Sequence, residues 1–265
     1  MFAQDMIEQA FTRLNNKVSS GLMNLDCALN GGISPELYVF VGKLYDERSA
    51  LFLHVAEHFI QQGYHVIYYS FYDSLQSIHN KLLLRCDYKL NRNASSTVPT
   101  ILQELESSPT KLAQFQQHLN LIANKLTVEN KPFVKLNELE DLLSAIGKEG
   151  KVVVLLDERQ LRPNTSIDIE YCCEHLTELQ QIAQLYQVPI FSMSTLSKED
   201  YGALQEGCLT SIGIETSADN IVLCEPTTPL STPYVLNLKV FGKSVNPLKS
   251  VPLTYHPSHY FFQDA

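Results

Sequence analysis

The stretch KVVVLLD, residues 151–157, constrains the fold more than any other. Valine and leucine follow one another from Val152 to Leu156 with no polar alternation. Such a run suits a strand covered on both faces, and cover on both faces is the mark of a parallel sheet between helical layers. The rest of the chain fits that demand. Leu37 to Val41, His65 to Phe71 (HVIYYSF) and Pro189 to Ser194 read as further short strands. Between them, helical spacing runs over Ser49–Gln61 (stopped by Gly63), Ser74–Cys86, Glu138–Ile146 and Ile167–Gln187. Thr100 to Lys125 reads as two helices broken near Ser107, Ser108 and Pro109, residues 91–98 as a polar loop, and 195–218 as polar and irregular. Alternating strands and helices predict right-handed crossovers and a mainly parallel, twisted sheet. Ile221–Cys224, Pro233–Val240 and Ser250–Tyr255 follow one another without helices, which predicts an antiparallel extension at one edge. Residues 1–16 carry Phe2, Met6, Ala10 and Leu14, with Ile7 and Phe11 beside them, at the spacing of an amphipathic helix. The expected organisation is that helix followed by a single α/β domain over 17–265.

Composition narrows the function. No run of about 18 apolar residues suggests a membrane span. The N-terminus lacks the basic start and apolar stretch of a secretory signal. Six cysteines are scattered, with Cys172 and Cys173 the one adjacent pair and no zinc-ligand spacing. Reduced thiols in the cytoplasm are expected. The formal net charge of -9 argues against a stand-alone nucleic-acid binder, although a ring of subunits can focus cations in a channel.

Several stretches together resemble the DnaB-type replicative helicases, in the same order. They are SSGLMNLDCALNGG, HVIYYSFYDS, VVVLLDERQL with Asp157, Gln160 and Leu161, LTELQQIAQLYQVPIFSMSTLSK, SIGIETSADNIVL, and the tail NLKVFGKS with VPLTYHPSHYFF. The resemblance covers roughly residues 17–262 and implies a RecA-like P-loop NTPase fold. The family's separate N-terminal helical domain has no counterpart in the sequence.

Against that pattern the nucleotide site departs. A P-loop reads G-x-x-x-x-G-K-[ST], with backbone N–H groups around the phosphates, a lysine to neutralise them and a hydroxyl for Mg²⁺. The matching GKLYDERS, residues 42–49, keeps Gly42 and Ser49 but places Glu47 at the second glycine and Arg48 at the lysine. Glu47 and Asp46 put carboxylates where a polyanion would sit. At about 4 Å and an effective dielectric near 20, one such repulsion is about 4 kcal/mol. A Glu47–Arg48 or Asp46–Lys43 ion pair would soften it while occupying the cation. By the resemblance, the catalytic glutamate is matched by Tyr72, the glutamine after the fourth strand by Thr195, and the arginine finger falls near Phe241, flanked by Lys239 and Lys243. Asp157 and Ser49 are the remaining Mg²⁺ partners. Each has a plainer role: Asp157 a strand-end carboxylate, Ser49 a helix N-cap, Lys239 and Lys243 solvated surface. His54, His58, His65 and His79 read as surface or satisfied core, and Tyr68, Tyr69 and Phe71 as sheet core.

The expected function is a non-catalytic relative without cofactor: an accessory or regulatory subunit connected to DNA replication or a mobile element, with a protein partner or further copies of itself. The other reading is an active ATP-dependent DNA helicase subunit that holds ATP and Mg²⁺ in an unorthodox site. Single-stranded DNA binding is expected to be weak. The segments matching the family's channel loops, Thr195–Ser211 and Ser166–Glu170, hold Lys198 against Glu199, Asp200, Glu206, Asp168 and Glu170, with Tyr201 as the sole aromatic.

Overall fold

The computed structural model describes residues 17–43, 47–71, 73–92, 96–131, 134–146, 151–157, 166–206, 217–226, 233–242 and 245–265. The amphipathic segment 1–16 lies outside them, as do Asp46, Tyr72, Gln160, Leu161 and Lys243.

Strands β1 (Leu37–Gly42), β2 (His65–Ser70), β3 (Leu126–Glu129), β4 (Val152–Asp157), β5 (Ile190–Thr195), β6 (Asn220–Pro226), β7 (Tyr234–Gly242), β8 (Val245–His256) and β9 (Phe261–Asp264) form one nine-stranded sheet among the described residues. Their order is β3-β2-β4-β5-β1-β6-β7-β8-β9. From β3 to β6 neighbours are parallel, and β7, β8 and β9 extend the sheet antiparallel. The apolar run is β4, inside the parallel part between β2 and β5 and buried along its whole length.

The helices are α1 (Met23–Ala28), α2 (Arg48–Gln61), α3 (Leu75–Asn91), α4 (Val98–Ser107), α5 (Pro109–Ala123), α6 (Leu136–Ile146), α7 (Ser166–Tyr186) and α8 (Lys198–Gln205). One apolar layer joins α1, α2, α3 and α5 to the face carrying Tyr38, Phe40, Tyr68 and Phe191. The other joins α6, α7 and α8 to the face carrying Val39, Ile67, Tyr69 and Val154. Alternate residues of each strand feed opposite layers, as the two-residue strand period requires. The break between α4 and α5 falls at Ser108, which accepts a hydrogen bond from the Lys111 N–H before Pro109 starts the next helix.

Four short elements escaped the pattern. α8 lies within the segment read as irregular, where Tyr201 and Leu204 are its only buried residues and Ser197 caps it through the Asp200 N–H. β3 is half-buried throughout, so it shows no apolar run. α1 and β9 are too short for periodicity to mark them. In addition, α3 runs beyond Cys86 to Asn91 before Arg92 turns left-handed (φ 54°).

The segment before β1 is pinned by a turn that only glycine fits. Gly32 has φ +123°, and a Cβ there would lie 2.6 Å from the Val18 carbonyl oxygen. Val18 and Ile33 bridge across the turn with hydrogen bonds of 2.8 and 2.7 Å. Gly32→Ala is therefore expected to lower the free energy of unfolding by roughly 1–3 kcal/mol, read as a lower urea midpoint at unchanged slope.

Candidate functional site

Chain connectivity places a crevice before any side chain is considered. β1 is followed by α2 on one face of the sheet, whereas β4 and β5 are followed by α7 and α8 on the other. β1 and β5 are neighbours, so their helices leave in opposite directions and open a crevice beyond their C-terminal ends, the usual ligand position in an open α/β sheet. Gly42 closes β1 there, opposite Thr195, and its carbonyl accepts the Leu196 N–H at 3.0 Å.

Arg48 fills the space between these strand ends. It is the first residue of α2 and only 5% exposed. Nη1 donates to the Phe40 carbonyl at 3.1 Å and to the Ser194 carbonyl. Nη2 donates to the Lys43 carbonyl at 3.1 Å and to Thr195 Oγ1 at 3.2 Å. Buried carbonyls at strand ends need donors, and a planar fork of N–H groups serves two strands at once. A lysine ammonium, with three donors on one nitrogen, lacks the reach to serve both.

Glu47 turns toward the antiparallel edge, where its Oε1 accepts a hydrogen bond from the Tyr234 hydroxyl of β7. Tyr234 stands edge-on to Tyr255 of β8 with ring centroids 5.4 Å apart. Burial, with the Glu47 charge added, pushes the Tyr255 phenol above its ordinary range. Lys43 Nζ lies 4.5 Å from the centre of the Tyr201 ring.

Asp157 ends β4 and is 1% exposed. The Tyr68 hydroxyl donates to its Oδ2 at 3.0 Å, and the Ser49 side chain faces the same carboxylate. Burial dominates and raises the carboxyl above its usual pKa. Ser49 and Tyr68 oppose it, the Asp73 charge adds to it, and Lys81 counters it. Asp73 itself pairs with Lys81 and accepts the Ser77 hydroxyl at 2.7 Å.

The structure thus brings Gly42, Glu47, Arg48, Ser49, Asp157 and Thr195 to one end of the sheet, in spite of their spread along the chain. Three plainer readings change. Ser49 is not the N-cap of α2: Glu47 holds that position without a side-chain cap, and Ser49 lies inside the helix, facing Asp157. Lys239 is paired to Glu225 at 3.2 Å and donates to the Gln205 carbonyl at 2.9 Å, so it is not merely solvated. His54 is half-buried, with its Nδ1 atom buried and lacking a hydrogen-bond partner among the described residues, so it is neither plain surface nor satisfied core. Phe241 is buried, and Tyr68 and Tyr69 are sheet core as expected. Tyr68 also orients Asp157. That contact and Tyr234 depend on strand register, which nothing in the sequence marks.

Known structures share this arrangement of strands and helices. One solved ATPase domain superposes with a TM-score of 0.73 at 14% identity, covering 100% of this chain and 96% of that one. A DnaB-like replicative helicase, solved in a study of its interactions with primase, gives 0.74 at 13% identity, covering 99% of this chain and 68% of that one. The chain has the fold of a DnaB-like helicase ATPase domain. No family model and no curated protein matches the sequence. Among the described residues of this DnaB-like fold, no helix is long and apolar enough to cross a membrane, and no three His, Cys, Asp or Glu side chains group as metal ligands.

Because Arg48 holds carbonyls of two strands, its loss leaves buried acceptors unmet. Arg48→Met is expected to destabilise the protein by about 2–3 kcal/mol, measured by chemical denaturation.

Proposed function

We propose that this chain is a non-hydrolysing relative of the DnaB-like ATPase domain that uses the fold as a protein-binding scaffold: an accessory or regulatory subunit connected to DNA replication or to a mobile element. The observation that carries this reading is the placement of Arg48. The cation at the position of the phosphate-neutralising lysine points into the sheet, and each of its terminal nitrogens donates to two protein acceptors. The residues present do not fit an ATP phosphate chain. A ligand phosphate would have to draw the guanidinium away from those acceptors and approach the Glu47 carboxylate, at a repulsion of a few kcal/mol. The DnaB-like helicase of known structure interacts with primase, and a protein partner or further copies of this chain are the occupants we assign to the scaffold.

A second reading, an active ATP-dependent DNA helicase subunit, is favoured by the contact of Ser49 with Asp157. These two groups would hold Mg²⁺ if ATP were bound. Isothermal titration calorimetry with ATP and Mg²⁺ separates the two. No heat of binding is expected, and a micromolar dissociation constant would overturn the first reading in favour of the second.

Weak binding of single-stranded DNA follows from the same surface. Tyr201 is buried beneath Lys43 with its hydroxyl facing the Cys224 carbonyl, so it offers no stacking face, and Lys239 is paired to Glu225. Fluorescence anisotropy at physiological salt should show little binding. Tight binding that weakens steeply with salt would report phosphate contacts and contradict this.

A further inference from the structure

Histidines far apart in sequence meet beneath the C-terminal end of the chain. His54 lies on α2, His118 on α5, His256 at the end of β8, and His259 in the 3-10 turn Pro257–His259. This turn and β9 rest on α2 and α3. The His54 ring meets Phe261 and Phe262 at centroid distances of 5.4 and 6.2 Å. Tyr88 of α3 packs on His256 at 5.1 Å, His259 at 4.8 Å and Phe261 at 5.0 Å. Arg85 donates to the Tyr260 carbonyl. At the far end, the Asp264 carboxylate accepts the Met23 and Asn24 N–H groups at 2.9 Å each, capping α1 from the other end of the sequence.

The charges around this seam are lopsided. α3 contributes Arg85 and Lys89, with Arg92 just beyond its end and Lys81 over the Tyr260 ring at 5.0 Å. Lys81 is neutralised by Asp73. α2 contributes one carboxylate, Glu57, with His58 one turn from His54. Glu57 Oε2 already takes Arg85 Nε at 2.9 Å, Arg85 Nη2 at 2.5 Å and Lys89 Nζ at 2.6 Å. Burial would raise the Glu57 carboxyl, but Arg85, His118 and Lys89 hold it well below the usual range, so it stays charged and engaged. His118 of α5 faces that carboxylate at 3.9 Å. Among the described residues neither His54 nor His256 forms an ion pair, and the Tyr88 hydroxyl lies 3.4 Å from His256 Nδ1. His54 Nδ1 and His256 Nε2 are buried without hydrogen-bond partners among the described residues.

We propose that residues 256–264 form an acid-released strap: at neutral pH they lie clamped on α2 and α3, and they lift away, taking the Asp264 cap from α1, when His54 beneath them and His256 at their start gain charge. Burial, then Arg85, with Lys89 and His58 adding and Glu57 opposing, hold the His54 imidazole well below its ordinary pKa. Burial, then His259 and Arg92, lower His256. A histidine with a depressed folded-state pKa takes its proton more readily once released. The clamp is therefore complete above the free histidine pKa of about 6.5 and weakens as pH falls below it, by up to about tenfold per pH unit for each such group.

Hydrogen–deuterium exchange of the full chain at about pH 7.5 and about pH 5.5, corrected for intrinsic exchange, tests this. Peptides covering 256–264 should open about tenfold more at the lower pH, while residues 152–157 in β4 keep their protection. His54→Phe, which preserves a ring against Phe261 without a titrating group, should reduce the opening of the strap at the lower pH to the share that His256 carries. Should that variant not fold, the contrast between strap and β4 in the unaltered protein decides alone. Equal strap protection at both pH values, or loss in β4 together with the strap, would overturn the proposal.

Discussion

A charged guanidinium removed from water is held at a large cost unless every donor finds an acceptor. In this protein that demand is met at the ends of β1 and β5, and the neighbourhood follows from it. Arg48 has to enter the sheet because the carbonyls of Phe40, Lys43 and Ser194 converge there. They converge because β1 and β5 are parallel neighbours whose following helices leave on opposite faces. Beyond these strand ends, where open α/β sheets commonly take a ligand, the Arg48 guanidinium lies hydrogen-bonded to both strands. The same bonds tie the start of α2 to the two strands it packs over, so the helix and the sheet ends form one unit.

α2 is then fixed at both ends by polar contacts and along its middle by apolar ones. Its N-terminal turn holds Glu47 against Tyr234, Arg48 against the strand ends and Ser49 against Asp157. Further along, His54 and Glu57 face the C-terminal turn and α3. Between these ends Leu51, Phe52, Val55 and Phe59 are fully buried against the sheet. A displacement at either end would have to drag this apolar stripe across close-packed neighbours, so the two polar ends are mechanically linked through a rigid body.

The sheet was legible because its signal is periodic and redundant. VVVLL demanded burial on both faces, and three further strands separated by helices left little choice but a parallel core. The late strands without helices likewise announced the antiparallel edge. β3 and α8 were not legible, since four half-buried residues, or two buried ones in eight, carry too little pattern to rise above a polar background. At the site, the identities of Glu47, Arg48, Ser49 and Asp157 could be read along the chain, as could the conflict they pose for a phosphate. Their partners could not. Tyr234 meets Glu47, and Tyr68 meets Asp157, only through strand register, and no local sequence rule encodes that. The histidines show the same limit from the other side, because scattered positions gave no hint that four of them share a seam.

Among the described residues, Glu47 and Arg48, which differ from the P-loop pattern, each have a contact of their own. A carboxylate at a glycine position would be exposed repulsion if it stood alone, yet Glu47 accepts a phenol from β7 and so links the loop to the antiparallel edge. An arginine in place of lysine would be a poorer point charge for a phosphate, yet its fork serves two strands. Ser49 and Asp157, which keep their pattern residues, have turned to each other. Reversing one of these changes alone would leave buried groups unmatched: a glycine at position 47 strands the Tyr234 hydroxyl, and a lysine at 48 strands carbonyls at two strand ends. Changing either residue therefore calls for accompanying change in β5 or β7 as well as in α2, so these strand-end contacts hold together as one unit.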